Sequence, residues 1–290
     1  MDIMDIIIIG SGPAGISAAI YAARANISFA IIERTYPGGK LAWIEKIENY
    51  PGFPDGISGT KLAEKFYSQA LKRGANFIFQ EVKSVKKSDN SFTIQTEIQT
   101  YQAKNIIVAS GSIPKQLNIK GEDRFKGRGI SYCVLCDGPL FRNKKVVVIG
   151  EGSMLESEIN FLKQFSGSIT WIKSPGSANT LINGITVIKG TPIEIKGENK
   201  VEEILVQTES DVIEVQTDGI FIFAGFKPSF EFLPSDIKRD KTEYIITNQN
   251  FLTSTNGIYA CGDIRSGSMK QIVSAVYEGA AVINQIRKNL

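Results

Sequence analysis

The stretch Ile6-Ile7-Ile8-Ile9-Gly10-Ser11-Gly12-Pro13-Ala14-Gly15 decides how the chain folds. Four β-branched residues in a row mark a strand covered on both faces. The strand runs straight into G-x-G-x-x-G, and an Ala-rich helical pattern follows over residues 16–24. Strand, glycine loop and helix in that order form the dinucleotide fingerprint in its required context. Gly10 suits the tight turn, Gly12 lets backbone approach a pyrophosphate, and Gly15 lets helix pack on strand. The helix N-terminus then holds the phosphates. A second strand over 29–32 ends at Glu33. That is the acid expected about twenty residues on, placed for a ribose hydroxyl.

The same unit recurs. Lys144-Lys145 leads into Val146-Val147-Val148-Ile149, then Gly150-Glu151-Gly152-Ser153-Met154-Leu155, a helix over 156–165 and a strand over 169–172. The chain therefore carries an internal duplication. The expected architecture is α/β, with two Rossmann-like nucleotide-binding domains of three ββα layers, the second inserted in the first. Expected bounds are 1–112 with 242–290 for the outer domain and 113–241 for the inner one. Ile113-Pro114 breaks the pattern and marks the first crossing; residues 238–242 mark the return.

The second copy departs from the first in ways that bear on binding. Its third glycine position is Leu155, whose side chain would stand between strand and helix or intrude on phosphates. Glu151 and Glu156 put negative charge beside the helix start, where a pyrophosphate needs positive potential. After its strand comes Lys173-Ser174-Pro175-Gly176, with no arginine cluster for a 2′-phosphate and no acid for a free 2′-hydroxyl. The competing reading is drift in a working site, because backbone amides alone bind phosphate.

Residues 77–85, 91–96 and 99–103 read as strands of a small antiparallel layer, and 186–195, 200–207 and 212–215 as another. Residues 59–74 read as an amphipathic helix, and 106–109 and 219–224 as buried strands. Gly257-Ile258-Tyr259-Ala260-Cys261-Gly262-Asp263 is a strand with a carboxylate at its tip, and the final helix spans about 271–286. Pro37-Gly38-Gly39-Lys40-Leu41 and Glu48-Asn49-Tyr50-Pro51-Gly52 let backbone lie against something flat or charged. Two ordinary turns remain the plainer reading of those glycines.

Cys133-Val134-Leu135-Cys136-Asp137 is the reactive unit. Two thiols at this spacing close into a small disulfide ring that opens and reforms. A zinc half-site is disfavoured, because a structural site needs four ligands and the chain has three Cys and no His. No metal is expected. Cys261, on an apolar strand, reads as core.

Composition narrows the class. Hydrophobic residues are 42% and charged residues 22% of 290, an ordinary globular balance with ample core. No apolar run approaches the length that crosses a bilayer. Residues 1–9 are short and carry Asp2 and Asp5, which reads as a buried strand rather than a signal peptide. Three cysteines give no disulfide framework, so a reducing cytoplasm is the expected compartment. A net charge of +3 does not by itself imply nucleic acid. Without His, proton transfer must use a carboxyl, a thiol, a Lys or a Tyr.

Assembled, these pieces resemble the low-molecular-weight thioredoxin reductases over nearly the whole chain. The resemblance rests on Gly10 to Gly15, Pro37-Gly38-Gly39, Glu48-Asn49-Tyr50-Pro51-Gly52, Cys133 to Asp137 and Gly257 to Asp263. It implies that the first fingerprint binds FAD, through Gly10, Gly12, Pro13, Ala14 and Gly15, with Glu33 on the adenosine ribose. It further implies Gly39, Lys40, Leu41 and Asn49 along the flavin, with Val82 and Gly111 beside the cofactor. Asp263 would take the ribityl chain, and Lys270, Gln271 and Ile272 the flavin pyrimidine. Lys40 stands where the family usually has Gln. Cys136 would be the sulfur nearer the flavin, Cys133 the one that attacks thioredoxin, and Asp137 the proton carrier. A homodimer with one FAD per subunit is implied too.

The family's second fingerprint and its His-Arg-Arg element for NADPH correspond to Gly150 to Leu155 and Lys173 to Pro175, and both are lost. The chain is therefore most similar to the ferredoxin-dependent flavin thioredoxin reductases, which use no pyridine nucleotide. Residues 113–145 carry eight basic residues (Lys115, Lys120, Arg124, Lys126, Arg128, Arg142, Lys144, Lys145) against Glu122, Asp123 and Asp137, a local net of +5. Such a patch would speed encounter with an acidic ferredoxin; a solvated surface of a Lys-rich protein explains it equally. The alternatives are an NADPH-dependent reductase with a divergent site, a dithiol oxidase of the same fold, and a non-catalytic redox-sensing flavoprotein.

Overall fold

A computed structural model describes residues 3–88, 90–151, 153–177, 182–288 and 290. Contacts divide the chain into two units: Met1–Ile44 with Ile57–Ile113 and Lys227–Leu290, and Glu45–Gly56 with Pro114–Phe226. Residues 227–241 thus fall in the first unit, and 45–56 in the second.

The first unit opens with β1 (Met4–Ile9), α1 (Pro13–Arg24) and β2 (Phe29–Glu33). After α2 (Gly59–Lys72) come β3 (Phe77–Phe79), β4 (Val82–Lys87), β5 (Phe92–Thr96) and β6 (Thr100–Val108). β1 pairs in parallel with β2 and β6, so it sits at the centre of the sheet. Its four isoleucines alternate between two cores. Ile6 and Ile8 meet the alanines of α1, whereas Ile7 and Ile9 meet Val85, Ile94 and Ile106. Both faces are covered, which is why the run has no polar residue.

Two expectations about this sheet are corrected. Residues 77–85 are two strands, not one. β3 extends the parallel sheet beside β2, and only β4 joins the antiparallel layer. Conversely, 100–103 and 106–108 belong to one strand, β6, with Gln99 and Ala109 just outside it. Its first half pairs with β5 and its last three residues carry a later strand.

β7 (Ser112–Pro114) leads into the second unit, which holds α3 (Glu122–Phe125), β8 (Ile130–Ser131), α4 (Val134–Asp137), β9 (Lys145–Gly150), α5 (Ser153–Leu162) and β10 (Ser168–Lys173). Then come β11 (Thr186–Lys189), β12 (Thr191–Lys196), β13 (Glu203–Gln207), β14 (Val212–Gln216) and β15 (Gly219–Phe223). The parallel sheet runs β11-β10-β9-β15-β8, with β12-β13-β14 as an antiparallel layer. Residues 186–195 are broken at Gly190, whose amide bonds to Lys173 O; β11 stays in the parallel sheet and β12 turns into the other layer. The β9 residues repeat the alternation of β1: Val147 and Ile149 face the antiparallel layer, Val146 and Val148 face α5.

β16 (Phe226–Pro228) pairs with β7 as the chain returns. β17 (Ile258–Ala260) adds to β6, and α6 (Ile272–Ile286) packs along α1. Residues 244–247 form no strand; Ile245 makes only isolated bridges. Among the described residues no helix is long and apolar enough to cross a membrane.

Candidate functional site

Each unit carries one site, built where parallel strands end and loops take over. In the first unit Gly10 turns the chain at φ +102°, and a Cβ there would lie 2.5 Å from Ala109 O. A Cβ on Gly15 would lie 1.9 Å from Gly10 O, so only glycine lets α1 start this close to the loop. At Gly12 an added Cβ would meet nothing within 4 Å. That open space fronts the first turn of α1, entered through Pro13 and Ala14, where helix amides have no helical acceptors.

Other segments close around that space. Gly38 N donates to Ser11 O at 2.7 Å. An added Cβ on Gly39 would sit 3.5 Å from Gly12 Cα. Leu41 is buried beneath, in a 3₁₀ turn over Gly39–Trp43. Lys40 Nζ forms an ion pair with Asp263, in the turn after β17, and lies 3.4 Å from Ser112 Oγ. Gly111, just past β6, has open space about it.

Glu33 is buried at the end of β2. Oε2 accepts from Ser11 N and Ser11 Oγ, both at 2.8 Å. Oε1 accepts from Thr35 N at 3.0 Å and Thr35 Oγ1 at 3.2 Å. Those four bonds fill the capacity of a carboxylate. A ribose hydroxyl on Glu33 would displace one of them, and the longest, to Thr35 Oγ1, is the most readily exchanged. Val82 is a core residue whose strand pairs with Thr96. Lys270 Nζ lies 4.0 Å above the Tyr244 ring, Gln271 caps α6 with Ser274, and Ile272 begins the helix. Asn49 groups with the second unit, so it is not placed with the others.

The open helix start, the close-packed glycine loop and the acid at the strand end fit a dinucleotide such as FAD. Glu278, on α6 and 3% exposed, supports the Asp263 turn. It accepts from Gly262 N at 2.7 Å and holds Arg265 through two bonds, of 2.5 and 3.2 Å.

In the second unit Cys133 and Cys136 form a closed disulfide with Cα atoms 5.3 Å apart. Cys133 caps α4, its Sγ accepting from Cys136 N at 3.2 Å. Both cysteines and Asp137 are partly buried. Burial pushes the Asp137 carboxyl above the usual carboxylate range, and the Glu45 charge adds to this. Ser131 Oγ opposes the rise by donating to Asp137 Oδ2 at 2.6 Å, while accepting from Cys133 N at 3.2 Å. Ser131 therefore ties the carboxyl to the backbone of the first cysteine, a link that sequence reasoning missed. A serine two residues before the pair was its only signal.

The sign of its effect is fixed. Without the serine hydroxyl the carboxylate form loses a donor, so Asp137 stays protonated to higher pH. With Asp137 as the proton carrier that the family resemblance implies, Ser131→Ala is expected to move the alkaline limb of disulfide reduction upward, and Asp137→Asn to remove that limb. Rates followed against pH check this; an unmoved limb in Ser131→Ala contradicts it. Cys261 is 0% exposed in the core, where burial pushes its thiol above the ordinary thiol range.

The second glycine loop is arranged unlike the first. Leu155 is 2% exposed and packs with Val146, Val148, Ile159 and Trp171, between helix and sheet. Gly152 lies outside the described residues. Register makes Lys173 the counterpart of Glu33, since Ile149 pairs with Ile172 as Ile9 pairs with Ile32. Lys173 is 3% exposed, with Nζ 4.3 Å over the Trp171 ring. Glu151 accepts from Ser174 N at 3.2 Å. The acid has moved from strand end to loop, and a cation fills its former place. The basic stretch 113–145 is partly neutralised: Lys120 pairs with Glu194 and Lys126 with Asp123, both at 2.7 Å.

A dinucleotide cradle in one unit and a Cys-x-x-Cys disulfide in a second, nucleotide-type unit are the arrangement of a disulfide oxidoreductase. The pyridine nucleotide-disulphide oxidoreductase profile matches residues 4–154 and 178–279. A thioredoxin reductase of Treponema pallidum is 39% identical over 288 residues, covering 95% of this chain and 94% of that protein. The crystal structure of thioredoxin reductase from Streptococcus pyogenes superposes with a TM-score of 0.92 at 34% identity, covering 98% and 97% of the two chains. A ferredoxin-flavin thioredoxin reductase from Clostridium acetobutylicum superposes at 0.56 and 32% identity, covering 99% and 97%. The chain belongs to the pyridine nucleotide-disulphide oxidoreductases, in their low-molecular-weight thioredoxin reductase branch. Its cofactor is FAD.

Proposed function

We propose that the chain is a thioredoxin reductase that takes electrons from reduced ferredoxin, through FAD, to the Cys133–Cys136 disulfide and on to thioredoxin. The observation that carries the reading is the closed disulfide tied through Ser131 to a partly buried acid. The outer unit holds FAD at Gly10, Gly12, Pro13, Ala14, Gly15 and Glu33. Gly39, Lys40, Leu41, Asp263, Gln271 and Ile272 are assigned to the rest of the cofactor, together with Asn49, Val82, Gly111 and Lys270. Bound there, FAD supplies a two-electron reservoir. Cys136 Sγ would be the sulfur that takes the electron pair as the S–S bond breaks, with Cys133 Sγ as the leaving sulfur and Asp137 placed to give it a proton. Cys133 then attacks the thioredoxin disulfide, and Cys136 resolves the mixed disulfide to leave dithiol thioredoxin.

The choice of ferredoxin rests on the second loop. Leu155 takes the place of the packing glycine, and Glu151 sets a carboxylate against Ser174, where a 2′-phosphate would need cations. The remaining exposed bases of 113–145 offer a landing surface for an acidic donor. A pyridine nucleotide is the second reading, favoured by the family's name and by the strand, loop and helix that the inner unit retains. A homodimer in a reducing cytoplasm completes the proposal. Tyr21 on α1 and Val273 and Tyr277 on α6 are exposed apolar side chains on two helices that pack together.

Trapping tests the thioredoxin step. Cys136→Ser protein should form a covalent adduct, through Cys133, with thioredoxin that keeps only its nucleophilic cysteine, activated as a thionitrobenzoate mixed disulfide. Absence of the adduct on non-reducing electrophoresis would sink the assignment of Cys133.

A further inference from the structure

Lys40 is out of keeping with its neighbours in the cradle. Around the glycine loop and helix start stand two carboxylates, Glu33 and Asp263, while the other lysine assigned to the cofactor, Lys270, lies over the Tyr244 ring. Lys40 reaches from the Gly38-Gly39 turn to the far side of the sheet end, pairs with Asp263 and lies 3.4 Å from Ser112 Oγ. The partners are 223 residues apart in the chain, and side-chain exposure is 31% for Lys40 and 13% for Asp263. A half-covered pair of this kind is screened less than a surface pair. Removing either member leaves the other's charge facing the cofactor.

We propose that Lys40 is a tuning residue for the bound flavin, offsetting the Asp263 carboxylate and favouring the negative charge the cofactor gains on reduction. This rests on the FAD reading of the cradle. The charge balance is direct. Two electrons from the donor and one proton leave the flavin with one added negative charge. Passing those two electrons and that proton on, with one further proton taken up, converts the Cys133–Cys136 disulfide to two thiols. A cation at the cradle's edge stabilises the reduced state more than the oxidised one. A lone Asp263 does the reverse.

The test is the flavin midpoint potential of holoprotein, by equilibration against reference dyes at fixed pH. Lys40→Gln should lower the reduced-to-oxidised ratio about tenfold at a given poise, about 30 mV for a two-electron couple. Lys40→Arg should stay within about twofold of the parent. Sulfite affinity, which also rises with positive charge near the ring, should fall in Lys40→Gln in parallel. Should Lys40→Gln release its flavin, Asp263→Asn carries the test, with a shift of opposite sign. A ratio unmoved in the variant that keeps its flavin overturns the proposal. A parent protein that binds no FAD overturns the cradle reading itself, and the two failures are told apart by flavin content.

Discussion

Cys133→Ser protein is expected to lose thioredoxin reduction by more than about 10³-fold, because no other group can replace the attacking sulfur. Cys261 cannot substitute, since it is wholly buried and held as a thiol. The loss should be confined to the second half of the reaction. All the residues assigned to FAD except Asn49 belong to the other unit, and none of them is a cysteine, so flavin content and flavin reduction by the donor should match the parent. Steady-state thioredoxin reduction and single-turnover flavin bleaching measure the two halves. Residual turnover within about tenfold of the parent would remove Cys133 from the role of nucleophile.

Glu278→Ala is expected to be the most destabilising single change at the cradle, by about 3–5 kcal/mol. The loss leaves Gly262 N without its carboxylate acceptor and Arg265 charged beside the Phe251 ring, 5.3 Å from the ring centroid. The melting temperature of the holoprotein should fall by roughly 5–10 °C. Flavin retention should fall with it, because the Gly262–Ile264 turn presents Asp263. Glu278→Gln keeps an acceptor for Gly262 N and should cost less. Adding Arg265→Ala to Glu278→Ala should recover part of the loss, since it removes the stranded charge. Melting curves of the three variants decide it; a shift of under about 2 °C in Glu278→Ala contradicts the account.

Local physics made the two nucleotide-type units legible. Ile6 to Ile9 and Val146 to Ile149 are runs that only a strand covered on both faces requires, and each leads into glycines that close packing demands. The Cys-x-x-Cys-Asp segment was legible for the same reason, since its chemistry is contained in five consecutive residues. Boundaries between layers were not. Gln80-Glu81 separates β3 from β4 without glycine or proline, because what sets β3 apart is a distant partner, β2, whose ladder runs to the bond from Gln80 N to Glu33 O. β6 was split at Lys104-Asn105, where polar side chains interrupt an apolar pattern while the backbone ladder continues. Long-range polar pairs left no trace in the spacing either. Lys40 and Asp263 were each placed at the cofactor by resemblance, but their pairing was not legible, and Arg265 and Glu278 read singly as ordinary charged residues. Lys173 shows the converse: its identity could be read as a lost ribose partner, but not that it would be buried against Trp171.

The central claim is that electrons reach Cys133–Cys136 through FAD from ferredoxin and not from a pyridine nucleotide. It is tested by mixing the holoprotein anaerobically with reduced ferredoxin, NADPH and NADH in turn, while watching flavin absorbance. The account predicts prompt bleaching with reduced ferredoxin, followed by thioredoxin reduction that requires Cys133, and no comparable bleaching with either nucleotide. Rapid bleaching by NADPH, with thioredoxin turnover sustained by it alone, would contradict the reading of Glu151, Leu155 and Lys173.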